Sequence, residues 1–218
     1  VTNATLTFTN WNTQLRSTNV LLQNAGRFTL PAPFTTNAMS NRISVACVTF
    51  TMETGSVVNA DSKGFARDHG PGRGAISFGG QWEGGGGHGG RGGDGPNGAG
   101  GNAYDSTNAP WLPGSGGASC YAPNNWFGGH GGGAIRIAAS GAVTLYGLLS
   151  ADGGNSANAS GGGAGGSIWI SCGAFAGSSN GLVRARGGTC TNAGSDPSGG
   201  GGAGGRIALT YGSVSGNQ

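Results

Sequence analysis

Short apolar runs separated by polar or glycine-rich stretches recur along this chain. The first, Thr5-Leu-Thr-Phe-Thr9, alternates polar and apolar side chains, which is typical of a half-buried β-strand. Similar patterns predict strands at about 4–9, 18–23, 27–30 and 43–52, separated by turns rich in asparagine and proline. No stretch shows helical periodicity. The sequence therefore predicts an all-β protein with a β-rich N-terminal segment.

Two sets of apolar runs are repeated. In one set each run follows a block of glycines: Ile135-Arg-Ile137, Ile168-Trp-Ile170 and Ile207-Ala-Leu209. The other set is Val57-Val-Asn-Ala-Asp61, Leu148-Leu-Ser-Ala-Asp152 and Leu182-Val-Arg-Ala-Arg186. Each repeat then holds two short strands and no helix, which suits a coil that climbs by parallel strand pairing. We expect a short right-handed parallel β-helix, or solenoid.

Glycine supplies 51 of the 218 residues, whereas charged residues make up only 9%. Such a composition raises the possibility of disorder, but the 35% of hydrophobic residues sit in compact runs, which favours strands. Collagen is excluded because the glycines come in blocks rather than at every third position. Since the blocks recur at a fixed place before each Ile-x-Ile strand, we expect ordered, polyglycine-II-like layers. Flexible loops are the alternative.

Two regions differ in composition. Residues 1–50 contain almost no glycine and form the predicted β-rich N-terminal segment, whereas residues 51–218 form a glycine-rich repeat domain. An insertion at about 79–129 breaks the repeat and is rich in aromatic residues. Its rings suit the stacking that sugars or partner proteins require, or they form a local core over the glycine layers. The candidate glycan or partner contacts are Trp82, Trp111, Tyr121 and Trp126.

The charge pattern excludes several partners. The net charge of +3 comes from 11 basic and 8 acidic residues that are scattered singly, so nucleic-acid binding is not expected. No run approaches the ~18 apolar residues of a membrane span, so none is expected. The chain begins at Val1 without a methionine, which indicates a processed form or an excised part.

Four cysteines, which show no C-x-x-C spacing and no nearby histidine, favour two disulfides over a zinc site. Three pairings are possible, of which Cys172–Cys190 with Cys47–Cys120 is preferred because the first pair would join neighbouring turns of the repeat. Disulfides would place the protein outside the reducing cytosol, extracellularly or at the cell surface. Glycosylation sequons begin at Asn3 and Asn158.

No residue pattern predicts catalysis. Asp61 and Asp152 occupy equivalent repeat positions, but the third copy has Arg186, so we interpret these aspartates as turn caps. His88 with Asp94 could form a metal or acid–base pair, although a histidine among glycines is more simply a filler between layers. No spacing supports a transition-metal site. We expect no enzyme activity, no catalytic residue, no metal and no cofactor.

The segment from about 128 to 211, and more loosely 52 to 100, resembles the glycine-rich repeats of large secreted or surface-anchored proteins. The resemblance rests on units such as Ser150-Ala-Asp-Gly-Gly154 that alternate with Gly161-Gly-Gly-Ala-Gly-Gly-Ser-Ile-Trp-Ile170. The glycine runs are also similar to the polyglycine-II layers of some phage tail-fibre tip adhesins. This resemblance implies a cell-surface, matrix or adhesive component without a catalytic set.

Together these patterns predict a structural subunit of an extracellular fibre or surface layer, whose partners are copies of itself. A solenoid exposes pairing edges at its ends, and the strand formed by Thr5, Leu6, Thr7, Phe8 and Thr9 could add to a neighbour's edge. The alternative is an adhesin or glycan-binding module that uses the aromatic insertion against cell-surface glycans. Ice binding is a weaker possibility, because the chain offers only one threonine row.

Overall fold

The computed structural model describes residues 1–35, 39–77, 82–121, 126–191 and 198–214. In these residues the protein is all-β, with twelve strands and no helix. The strands are β1 (Thr5–Thr7), β2 (Leu15–Leu22), β3 (Arg27–Thr29), β4 (Ile43–Met52), β5 (Val57–Asn59), β6 (Ala134–Leu145), β7 (Leu148–Ser150), β8 (Ser156–Ala157), β9 (Ser167–Gly177), β10 (Leu182–Arg184), β11 (Cys190–Thr191) and β12 (Arg206–Val214).

The strands form parallel sheets of two lengths. The short sheet has the order β1-β3-β5-β7-β10, and the long sheet has the order β12-β9-β6-β4-β2. A third, two-stranded sheet pairs β8 with β11. Because the chain alternates between the short and long sheets, each successive turn adds one strand to both. Every pairing between named strands is parallel, and side chains on neighbouring turns therefore stack in columns.

The repeats predicted from the sequence are confirmed by the register. In the short sheet, Leu148 pairs with both Val57 and Leu182. In the long sheet, Ile168 pairs with both Ile135 and Ile207. The strand predicted at 43–52 coincides with β4, and β1 and β3 fall inside the predicted runs at 4–9 and 27–30. The run predicted at 18–23 overlaps β2, which begins three residues earlier.

Apolar side chains from the two sheets form the core. In the short sheet Phe28, Val58 and Leu149 are all fully buried. In the long sheet the facing column of Ile43, Ile135 and Ile168 is at most 1% exposed. Burying each such side chain is worth about 1.5–3 kcal/mol, so side-chain packing stabilises this part of the molecule.

The glycine segments are held differently, by backbone hydrogen bonds with a period of three. Gly84 and Gly87 donate their amides to the 72–75 segment, whereas Gly85 donates to Gly93 and Gly86 to Gly162. The same period links Gly162 to Gly200 and Gly165 to Ala203, each at 2.9 Å. Three successive amides thus point at three different neighbouring segments, whereas successive amides of a β-strand alternate between two neighbours. We call this set of hydrogen-bonded segments the glycine array.

Close backbone contact explains why these positions are glycine. A Cβ atom on Gly131 would overlap the carbonyl oxygen of Gly114, and one on Gly166 would overlap that of Gly133. Both glycines are buried. Most of the array is contributed by the connection of residues 60–133, which joins β5 to β6, and by the shorter connections before β9 and β12.

The predicted partners Cys172 and Cys190 lie in different sheets, whereas Cys47 and Cys172 share one column of the long sheet. Cys172 is within β9 of the long sheet, whereas Cys190 begins β11 of the two-stranded sheet and donates its thiol to the carbonyl of Asn158. Cys47, Cys172 and Cys190 are free thiols, so the predicted pairs Cys172–Cys190 and Cys47–Cys120 are not formed in this structure. Burial raises the pKa of the Cys47 and Cys172 thiols.

Candidate assembly interface

The core is uncovered at the end of the strand stack that contains β12. Ile207 continues the column of Ile43, Ile135 and Ile168, yet it is 48% exposed. Leu209 is 39% exposed, although its neighbour in the column, Ile170, is 1% exposed. Core-type side chains therefore face solvent because no further turn of the described chain covers them.

The backbone at this end is also open. Within the described residues β12 pairs only with β9, β10 only with β7, and β11 only with β8. The outer edges of all three strands lie at the same end of the stack, since each is the last strand of its sheet. Unpaired edges with apolar side chains are templates for pairing with another chain.

The opposite end presents a matching surface. Leu6 on β1 is 37% exposed and stands at the end of the column of Phe28, Val58 and Leu149. A groove of about 280 Å³ runs between β1 and the start of β2, and its walls include Leu6 and Leu15. We call these two surfaces the C-terminal end and the N-terminal end.

The predicted assembly strand lies at the N-terminal end. Thr5, Leu6 and Thr7 form β1, which pairs in parallel with β3 of the same chain, and Thr9 is exposed. Phe8 is buried and packs edge-on against Phe28, with ring centroids 5.2 Å apart. The segment is therefore an edge strand of its own subunit rather than a free arm, and only its outer edge is open to a partner.

The four aromatic candidates are spread over the molecule. Trp111 is 45% exposed and packs against Trp11, while Tyr121 is 52% exposed and its hydroxyl donates to Asp68 at 2.7 Å. Trp82 and Trp126 are half-buried. Among the described residues no ring contact joins any two of the four, so they do not form one platform. Sequence reasoning missed Trp11, which lies in the N-terminal segment and outside the aromatic insertion.

His88 sits in a buried polar cluster. Its Nδ1 lies 2.7 Å from the carbonyl of Gly165, and its Nε2 lies 3.5 Å from a carboxylate oxygen of Asp105. The Ser167 hydroxyl oxygen lies 3.4 Å from Nε2 and 3.2 Å from a carboxylate oxygen of Asp105. The side chains of His88 and Asp105 are at most 1% exposed, so the cluster offers no route to a substrate. The contacts of His88 with Gly165 and Ser167 join the glycine array to the long sheet.

The pairing of His88 with Asp94 considered from the sequence is wrong, because the carboxylate beside His88 is that of Asp105. Asp94 is bound instead by the exposed guanidinium of Arg91, which lowers the pKa of that carboxyl through hydrogen bonding. His88 is fully buried and contacts the carbonyl of Gly165 instead. Hydrogen bonds from His88 and from three backbone amides outweigh burial and lower the pKa of Asp105.

The prediction that the repeat-equivalent aspartates cap their own turns is wrong, because the backbone donors to both carboxylates come from the segment after the next strand of the short sheet. Asp61 accepts hydrogen bonds from the Ser150 hydroxyl and the Asp152 amide, and Asp152 accepts from the Arg186 amide. Arg184 adds an ion pair of 2.9 Å to Asp152. These carboxylates join successive turns of the short sheet, and each already has a hydrogen-bonding role. Within the described residues no three metal-binding side chains are grouped.

The two sequons differ in accessibility. Asn3 is exposed, and so is Thr5 of the same sequon. Asn158 is half-buried, and the hydroxyl of Ser160 is buried and donates to the carbonyl of Trp126. Both asparagines adopt a positive φ, 46° and 50°. The geometry thus leaves Asn3 as the accessible acceptor.

No protein-family model matches the chain, and no curated protein or solved structure shows significant similarity to it. No helix long and apolar enough to cross a membrane is found in the described residues.

Proposed function

We propose that this protein is a structural subunit of an extracellular fibre or surface layer, and that copies of it polymerise end to end. The observation that carries the proposal is the uncovered core at the C-terminal end, where Ile207 and Leu209 are 48% and 39% exposed. Side chains in equivalent positions of the inner turns are buried. Covering these side chains is worth about 25 cal/mol for each Å² of apolar surface removed from water.

The proposal treats the molecule as a short right-handed parallel β-helix flanked by polyglycine-II-like layers. Parallel pairing through five turns and the alternation between two sheets support the β-helix, and parallel crossovers are right-handed in about 98% of cases. The three-residue period of the amide hydrogen bonds supports polyglycine II, which has three residues per turn.

Such a solenoid continues naturally from one copy to the next. Placing β2 of one subunit beside β12 of another sets Leu15 in the column of Leu209, since both belong to the column of Val45, Ile137 and Ile170. Placing β1 beside β10 likewise sets Leu6 over Val183. Both contacts pair apolar side chains, and both keep the strands parallel. A contact between two different ends generates an open filament rather than a closed dimer.

An extracellular location is supported by the accessible sequon at Asn3 and by the resemblance to secreted glycine-rich repeats. The low content of charged residues, 9%, is also suited to close subunit packing.

The test is whether the protein forms filaments, measured by sedimentation velocity and negative-stain electron microscopy over a concentration series. We expect filaments that shorten on dilution. Ile207→Asp places a charge in the contact and should leave only single particles. Val48→Asp is the matched control, because Val48 is 44% exposed but lies on β4 in the middle of the stack. Single particles of the native chain at every concentration would contradict the proposal.

A mixing experiment tests the polarity of the contact. Ile207→Asp blocks the C-terminal end, whereas Leu6→Asp blocks the N-terminal end. Each variant alone should be a monomer, and an equimolar mixture should give a dimer that grows no further, because only one compatible pair of ends remains. Homodimers of either variant alone would show a contact between like ends and would contradict the head-to-tail arrangement.

A further inference from the structure

Two arginines and three tryptophans meet on the outer face of the long sheet, and we call this surface the Trp–Arg face: Trp11, Arg42, Trp111, Arg136 and Trp169. The Arg42 guanidinium lies 4.8 Å from the ring centroid of Trp11, and the Arg136 guanidinium lies 4.5 Å from that of Trp169. The rings of Trp11 and Trp111 are 5.9 Å apart. Trp111 is 45% exposed, and the other four residues are half-buried, so all are within reach of solvent.

Strand register and one loop bring these residues together. Ser44, Arg136 and Trp169 occupy one column on the side of the sheet away from the core, where Ser44 is covered and Arg136 and Trp169 are half-buried. Arg42 precedes β4 by one residue and lies on the same side as Ser44. The loop that carries Trp111 is fixed to the sheet, because the Ser167 hydroxyl donates to the Leu112 carbonyl at 2.5 Å.

The positive charge of this face is not balanced. Among the described residues neither Arg42 nor Arg136 takes part in an ion pair, and the Nε atom of Arg42 is buried without a hydrogen-bond partner. Burial and the charge of Arg136 lower the pKa of Arg42. The side chain of Asp105, the acid in the adjoining loop, is 1% exposed, lies beside His88 and accepts from the Trp111 and Leu112 amides. An anion from outside would therefore meet two guanidinium groups without competition.

We propose that the Trp–Arg face binds an anionic polysaccharide, whose acidic groups contact Arg42 and Arg136 while a sugar ring stacks on Trp111. Guanidinium groups bind carboxylates and sulfates through paired hydrogen bonds, and a tryptophan ring offers a flat apolar face with a polar edge. A nucleic acid fits less well, since its recognition normally uses a clustered basic surface that contacts many phosphates, and this face offers two arginines. The proposal holds for a single subunit and does not depend on polymerisation.

Binding is measured by isothermal titration calorimetry with polygalacturonate, which carries carboxylates, and with dextran sulfate. Neutral dextran and single-stranded DNA are the comparison polymers. We expect binding to at least one acidic polysaccharide and none to neutral dextran. The stronger of the two acidic probes identifies the preferred anion. Arg42→Gln, Arg136→Gln and Trp111→Ala should each weaken binding at least about tenfold.

Two variants control for net charge and for surface aromatic area. Arg27→Gln removes an equal charge from the short sheet, and Tyr146→Ala removes a 37% exposed ring from the turn after β6. Both should bind like the native chain, with less than about a twofold change, because neither residue belongs to the Trp–Arg face. An equal loss of affinity in Arg27→Gln would mean that the net charge of the protein alone attracts the polysaccharide, and this would overturn the proposal. So would tighter binding to DNA, full binding by Trp111→Ala, or no binding to either acidic probe.

Discussion

The two sheets and the glycine array are stabilised in opposite ways. In the sheets, columns of apolar side chains such as Ile43, Ile135 and Ile168 fill the space between strands, and the backbone pairs along ladders. In the array, segments approach so closely that no side chain fits, and amides reach a different neighbour at each residue. The sheets therefore depend on side-chain packing, whereas the array depends on positions that carry no side chain. The two regions should therefore respond to substitution in opposite directions, the sheets to lost atoms and the array to added ones.

The largest expected effect is that of a single added methyl group in the array. In Gly166→Ala the new Cβ would overlap the carbonyl of Gly133, and backbone on both sides would have to move. We expect a loss of about 3 kcal/mol or more in the free energy of unfolding, at or above the upper end for overpacked interiors. Urea unfolding followed by circular dichroism measures it. Gly201→Ala is the control, since its nearest backbone atom is 3.8 Å away. Equal stability of the two variants would refute the close-packed array.

In the sheets the largest effect comes from removing atoms. Ile168→Ala should lower the free energy of unfolding by about 2–5 kcal/mol, because Ile168 is fully buried and a cavity would remain. Ile207→Ala changes the same column at its exposed end and should reduce the stability of the dilute monomer by less than about 1 kcal/mol. Similar losses at both positions would mean that Ile207 is covered in the monomer.

Features set by neighbouring residues were predictable from the sequence. The compact apolar run that marked 43–52 as a strand and the glycine blocks that precede Ile135, Ile168 and Ile207 are local, and they were enough to align the repeats. Parallel pairing followed, because two short strands and no helix leave few ways to bury such runs.

Partners distant in the sequence were not predictable. Asp94 is closer to His88 along the chain, yet Asp105 lies beside it, because the folding of the glycine segments sets which loops meet. Glycines carry no side chains, so the sequence holds no pattern from which their neighbours can be read. The Trp–Arg face was missed for a similar reason, since Arg136 and Trp169 meet only through the register of β6 and β9.

An intermediate effect is expected where the two regions are joined by the buried polar cluster. Asp105→Asn removes a charge that lies beside His88 and accepts from three backbone amides, and it should cost about 1–3 kcal/mol at neutral pH. The pKa of Asp105 is lowered from 3.8 in the folded protein. Its stabilising contribution is therefore present above about pH 4 and is lost as the pH falls through the folded value.

The measurement is the melting temperature of the native chain and of Asp105→Asn between pH 7 and pH 2. The gap between them should narrow in acid as Asp105 becomes protonated in the native chain. Glu53→Gln, which removes an exposed carboxylate in the turn after β4, should show no comparable narrowing. A difference in melting temperature that stays constant down to pH 2 would mean that the shape of the Asp105 side chain, and not its charge, stabilises the protein.

The smallest effect is expected at the open edge of the array. Gly204 is exposed, and its one neighbouring atom, the carbonyl oxygen of Ala185, is 4.0 Å from the Cβ position. Gly204→Ala should leave the monomer unchanged or stabilise it by about 0.4–1 kcal/mol, because alanine restricts the unfolded chain more than glycine does. Urea unfolding at low protein concentration checks this.

In a filament the same edge would face the next subunit's backbone, where an added methyl group would prevent close contact. Gly204→Ala should then raise the protein concentration at which filaments form while the monomer keeps its stability. If that concentration is unchanged, the array ends within each subunit and only the sheets connect the copies.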